Sequence, residues 1–169
     1  AGVDFGGMCS MVTAQPRGEY LYCLKEFNTL APENEIQLGK QFVAYYKHHK
    51  CKKLKLYYDR SGNQNANTKR DWASALKRAI EFDEFGNSTG WYVELMSVGQ
   101  GTILQEDEYN FVKGMMGETV KGLPKLKIDK FNCKCTKSSI ELTKIDNKRD
   151  RTGASKIYKD KSSEKLAMH

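Results

Sequence analysis

The chain has 169 residues, enough for one domain with an adequate core, since a chain of about this size buries roughly 68–70% of its unfolded surface. Hydrophobic residues make up 39% and charged residues 29%, with only three prolines, a balance that excludes a disordered chain. No apolar stretch approaches membrane-spanning length and no signal-peptide pattern precedes the first predicted strand, so the expectation is a soluble protein.

The net charge of +7 is unevenly placed. Residues 1 to 124 hold 15 Lys+Arg against 15 Asp+Glu, whereas residues 125 to 169 hold 13 against 6. Clustered Lys and Arg release counterions from phosphate chains, so the basic end suggests a polyanion partner. A solvated basic tail is the other reading.

The first predicted element begins at residue 2 with no initiator Met, an abrupt start that suggests a fragment of a longer protein. Val3 to Phe5 and Met11 to Ala14 flank a small-residue bend at Gly6 and Gly7. "QPRG" reads as a turn by composition, and "EYLYCLKEF", residues 19–27, alternates with the period of a strand. These pieces form an antiparallel meander.

Residues 33–50 change period. Ile36, Phe42, Val43 and Tyr46 share a helical face, with Glu33 and Glu35 in the first turn and Lys47 and Lys50 in the last, each end suiting the helix macrodipole. "LKLYYDRSGN", residues 54–63, is an apolar strand that ends on Asp59 and a turn. "TKRDWASALKRAIEF" follows as a helix, with a capping-box-like spacing from Thr68 to Asp71 and an apolar stripe of Trp72, Leu76, Ala79 and Ile80.

"WYVELMSV", residues 91–98, is a further strand. "EDEYNFVKGMMGETV" reads as a helix with Tyr109, Val112, Met116 and Val120 inward and Glu106, Asp107 and Glu108 at its start. "KLKID" suits a short edge strand, "CTKSSIELTKI" fits helix or strand, and the polar segment from Asp146 onward reads as a loop. Five cysteines form an odd count without a framework spacing, so reduced thiols are expected. Neither "HHKC" nor "CKC" has the ligand spacing of a zinc finger or ribbon.

The order is a meander, then helix, strand, helix, strand, helix. Strands joined by a crossover helix are parallel and right-handed. The predicted fold class is therefore α/β, a ribonuclease H-like mixed sheet of antiparallel meander followed by parallel strands, flanked by helices. A plain doubly wound sheet would not begin with a meander.

In that arrangement the first strand and the strand after the first helix are neighbours, and their ends bring Asp4 and Asp59 together. Paired carboxylates repel unless a cation neutralises them, and such oxygen-rich sites suit Mg²⁺ or Mn²⁺. Paired divalent ions activate a water and stabilise a leaving oxygen in phosphodiester hydrolysis, and Gly6 and Gly7 would let a phosphate backbone approach. The alternative for each acid is local: Asp59 closing an Asx-type turn, Asp4 capping the bend before Gly6.

At these residues the sequence resembles the nuclease domain of phage large terminases. The stretches that carry the likeness are "GVDFGGMCSMVTAQ", "LYYDRSGNQNANTKRDWASALKRAIEF", "GWYVEL", "LPKLKID" and "KDKSSEK", in that order and over most of the chain. The resemblance implies a two-metal DNA endonuclease using two Mg²⁺ or Mn²⁺ ions, with Asp4 as the first-strand metal ligand and Asp59 as the second acid. It also implies double-stranded DNA, an ATPase domain of the same parent chain, a portal and a small terminase subunit as partners, in the cytoplasm of a bacterial host.

A third acid normally sits on a helix after a segment like "KDKSSEK", and here the chain stops at "KLAMH". Asp160 and Asp107 are substitutes by position. With two acids alone, low or absent activity is the expectation for this chain. No phosphate-cradling G-x-x-x-x-G-K-[ST] motif occurs, so ATP hydrolysis is not expected. Arg60, Lys69, Arg70, Lys156, Lys159 and Lys161 are the candidate DNA contacts, supported by Lys148, Arg149 and Arg151, with Ser162 and Ser163 as possible phosphate donors. Two other readings stand beside cleavage of concatemeric duplex DNA: a non-catalytic DNA-binding or assembly module on the same fold, and a junction resolvase or integrase relative.

Overall fold

The computed structural model describes residues 1–6, 8–30, 34–59, 71–101, 103, 105–149 and 155–159. The elements run β1 (Gly2–Asp4), β2 (Met8–Arg17), β3 (Tyr20–Leu30), α1 (Glu35–Tyr45), β4 (Lys53–Tyr58), α2 (Trp72–Glu81), β5 (Tyr92–Leu95), α3 (Gln105–Gly117), β6 (Lys125–Ile128), α4 (Lys134–Leu142), β7 (Thr143–Arg149) and β8 (Ser155–Lys159). Six strands form one mixed sheet in the order β5-β4-β1-β2-β3-β6, and β7 and β8 form a separate hairpin. β1, β2 and β3 are the antiparallel meander, β4 and β5 continue in parallel from β1, and β6 is parallel to β3. This is the ribonuclease H-like mixed sheet that the order of elements predicts. The chain divides into two compact units, Ala1–Val12 with Phe27–Gln100, and Thr13–Glu26 with Gly101–His169.

In the first unit the strand alternation decides which side chains form the core. Val3, Met11, Leu54, Leu56 and Val93 turn to one face and are buried against Leu38 and Phe42 of α1 and Ala73, Leu76 and Ile80 of α2. Burying a side chain of this kind contributes about 1.5–3 kcal/mol. The rings of Phe42 and Trp91 meet edge-on with centroids 4.7 Å apart, and Tyr46 packs on both. α1 starts at N-cap Asn34, whose side chain accepts the Ile36 N–H at 3.0 Å. α2 starts at N-cap Asp71, whose carboxylate accepts the Ser74 N–H at 3.2 Å. Gly39 lets the two helices approach: a Cβ there would stand 2.9 Å from Ala79 Cβ.

Lys77 and Glu81 pair at 2.9 Å on α2, and the same Glu81 oxygen accepts the Val93 N–H at 2.8 Å. That side chain fastens α2 to β5.

In the second unit β2 turns into β3 at Gly18, which has φ +58°, a left-handed conformation that a side chain disfavours. β3 pairs with β6 from Tyr20↔Lys125 to Cys23↔Ile128. Asp129 then accepts the N–H groups of Phe131 at 2.9 Å and Asn132 at 3.0 Å, and its carboxyl is held below its usual range, chiefly by the Asn132 side-chain amide.

Several sequence expectations shift. The turn sits at Gly18, beyond "QPRG", because Pro16 and Arg17 are still in β2. α1 spans Glu35–Tyr45, shorter than residues 33–50, so Lys47 and Lys50 lie beyond it, and Ile36 is half-exposed while Leu38 is buried. On α3 the buried methionine is Met115, whereas Met116 and Val120 are exposed. The ambiguous "CTKSSIELTKI" is both, α4 running directly into β7, and the polar segment from Asp146 onward contains strand residues through Arg149 and again from Ser155 to Lys159. Backbone pairing in a hairpin needs no apolar face of its own, which is why composition alone reads as loop.

Candidate functional site

β1 and β4 lie side by side and parallel, with Gly2 opposite Tyr57 and Val3 opposite Tyr58. Asp4 closes β1 and Asp59 is the residue just past β4, so each follows the last paired residue at the same end of the sheet, where paired strands run about 4.8 Å apart. Val3, Leu54 and Leu56 are buried, whereas Gly2, Asp4, Lys55, Tyr57 and Asp59 are exposed, so alternation puts Asp4, Lys55 and Tyr57 on the face away from the core, and Asp59 is exposed just beyond them.

This strand end is fixed from below. The Tyr58 N–H donates to Ser97 Oγ at 2.9 Å, Ser97 itself being buried, and the Met96 N–H donates to Leu56 O at 2.8 Å. The rings of Phe5 and Tyr58, the residues flanking the acids, approach with centroids 6.4 Å apart. At Gly6 an added Cβ would meet only Met8 O, at 3.6 Å. Gly7 lies outside the described residues.

Glu35 lies in the first turn of α1, as its position in the sequence predicts, and its side chain is fully buried. β3 runs parallel to β1 and ends at Leu30, and the start of α1 follows, so Glu35 belongs to the same end of the sheet as Asp4. Burial is the main cause raising the Cys9 thiol above its usual value, with Glu35 and Asp4 both adding to the rise. The topology held the signal: a helix entered from a strand parallel to β1 starts beside the β1 terminus.

The remaining candidates are not gathered there. Asp107 is exposed on the first turn of α3. Lys156 and Lys159 belong to β8, paired with Asp146 and Thr143 of β7, and Lys148 and Arg149 belong to β7. Arg60, Lys69, Arg70, Arg151, Asp160, Lys161, Ser162 and Ser163 lie outside the described residues, as does Thr68. Among the described residues no group of three or more His, Cys, Asp and Glu side chains converges as a cation site. A cavity of about 1140 Å³ in the first unit is lined by Ile36, Val43, Ala79, Phe82 and Phe85 and contains neither acid.

No family model, curated protein or solved structure matches the chain. Among the described residues no helix is long and apolar enough to cross a membrane.

Proposed function

We propose that this chain is a metal-dependent endonuclease domain that hydrolyses phosphodiester bonds of duplex DNA, of the kind that phage packaging terminases carry. The observation that carries the proposal is the parallel pairing of β1 with β4 up to Val3 and Tyr58, each followed by an exposed acid, Asp4 and Asp59, which supports a shared cation at that strand end. Two carboxylates in that relation form a hard oxygen donor set, which fits Mg²⁺ or Mn²⁺. Bound there, such an ion supplies Lewis-acid polarisation of a phosphoryl oxygen and a water acidic enough to attack.

The residues of the chain supply the rest. Asp4 and Asp59 hold the charge that the cation needs. The open surface at Gly6 admits a phosphate backbone. A second ion has no third carboxylate among the described residues to hold it, and low turnover follows. In the parent setting the partners are double-stranded DNA, an ATPase domain, a portal and a small terminase subunit, in a bacterial host cytoplasm.

The test is nicking of supercoiled plasmid in Mg²⁺ or Mn²⁺. Slow nicking that EDTA abolishes and that Asp4→Asn and Asp59→Asn each reduce to background is the expected result, and nicking unchanged in both variants overturns the assignment. That no third ligand converges among the described residues favours one second reading, a DNA-binding module without cleavage, which predicts salt-sensitive binding and no nicking with either metal.

A further inference from the structure

The balanced charge of the first 124 residues hides a concentrated patch. Between positions 47 and 55 the chain carries Lys47, His48, His49, Lys50, Lys52, Lys53 and Lys55 and no acid. These residues form the turn that leaves α1 and the first half of β4, all in the first unit. Lys47, His48, His49, Lys50, Lys53 and Lys55 are exposed.

The turn is held in one shape. Lys52 Nζ donates to Tyr46 O at 2.9 Å and Lys47 O at 2.7 Å, closing the carbonyl end of α1. The His49 ring stacks on Trp91 with centroids 6.1 Å apart and bonds Cys51 O at 2.8 Å through Nδ1, while Lys52 lies 4.9 Å over the same indole. Lys53 is drawn to Glu94 at 3.3 Å. Among the described residues, no carboxylate lies within ion-pair distance of Lys47, Lys50 or Lys55. Three exposed ammonium groups on a braced backbone thus remain for an outside anion.

We propose that the α1–β4 turn is a nucleic-acid contact that grips the phosphate backbone of a DNA duplex through Lys47, Lys50 and Lys55. Ammonium groups are point charges suited to phosphate rather than to base edges, so the grip carries no sequence preference. Tyr46 and Trp91 at the turn pack on one another, with Lys52 over the indole, and the half-exposed Tyr45 beside them is a single ring, short of the row of rings that stacks successive unpaired bases. The nearest of the three, Lys55, lies four residues before Asp59, about 13 Å at the rise of an extended strand. The contact adds a duplex-holding surface to the cleavage reading without needing its acids.

The experiment measures binding of a fluorescent 20-base-pair duplex to the full chain in EDTA, where no cleavage occurs, at several salt concentrations. The triple variant Lys47→Gln, Lys50→Gln, Lys55→Gln is compared with Lys113→Gln, Lys121→Gln, Lys130→Gln, three exposed lysines of the second unit whose loss changes net charge equally. Thermal melts confirm that both variants fold. The turn variant is expected to bind about tenfold more weakly or worse, and to lower the slope of log affinity against log salt by about 2–3, with the comparison variant near the parent. Equal effects in the two variants, no effect in the turn variant, tighter binding of a single strand than of duplex, or no duplex binding by the parent chain would each overturn the proposal. Failure of Asp4→Asn to alter nicking would sink the cleavage reading and leave this result untouched.

Discussion

The carboxylate of Glu26 in β3 caps α4, more than a hundred residues further along the chain: Glu26 Oε1 accepts the Cys135 N–H and Oε2 accepts the Thr136 N–H and hydroxyl, each at 2.8 Å. No residue next to the helix supplies this cap; a strand does. An anion at a helix N-terminus is stabilised by the unpaired N–H groups and the macrodipole. Glu26→Ala leaves those donors unmet and is expected to destabilise the chain by about 1–3 kcal/mol, while Glu26→Gln, which keeps one carbonyl oxygen, loses less. Chemical denaturation of the three proteins ranks them.

Gly39→Ala is expected to destabilise the chain although Ala is the better helix former by about 1 kcal/mol. The added methyl would meet Ala79 Cβ at 2.9 Å and the Ala79 carbonyl carbon at 3.2 Å, and overpacking of a close helix contact costs about 1–3 kcal/mol. The double variant Gly39→Ala, Ala79→Gly removes one side of the clash. Recovery of part of the lost melting temperature in the double variant is the outcome that ties the effect to this contact.

Thiol labelling separates the cysteines. Cys51 is exposed, whereas Cys9, Cys23 and Cys133 are buried, so a thiol reagent added to the folded chain is expected to modify Cys51 first and the buried three only on unfolding. Burial pushes the Cys133 thiol up to about 12 from an ordinary 9.0. Between those values the unfolded chain releases the proton and the folded chain keeps it, so stability falls as pH rises through the window and is untouched below it. Melts at pH 8 and pH 10 check the sign, and Cys133→Ala flattens the difference.

A cation bound as proposed by Asp4 and Asp59 would stabilise the folded chain by mass action, about 1.4 kcal/mol at ten times its dissociation constant. Millimolar Mn²⁺ is expected to raise the melting temperature by a few degrees, reversibly with EDTA. Asp4→Asn should erase that rise. A rise of the same size in the variant would move the bound ion elsewhere.

The parts of the fold that were legible are those where periodicity and punctuation agree. The apolar run of β4 stops at Asp59, the stripe of α2 falls on Leu76 and Ile80, and the meander followed by a crossover helix makes β1 and β4 neighbours, so the parallel pairing of those two strands follows from topology alone. Glu35 was not legible because its burial depends on what α1 is packed against, and its first-turn position has an ordinary explanation in the helix dipole. The Glu26 cap was out of reach for the same reason: a contact across that separation leaves no local signature. The basic turn after α1 was in plain view, but cancelling charges over a longer window concealed it.

The pairing of β1 with β4 joins residues more than fifty positions apart, with the meander and α1 lying between them. Non-local parallel pairings form slowly, since the loop must close before the contact rewards it. The two aspartates therefore do not meet in a chain that has only its hairpins and helices. The edge of the sheet that carries β1, β4 and β5 is thus built on a contact that hairpins and helices alone cannot make.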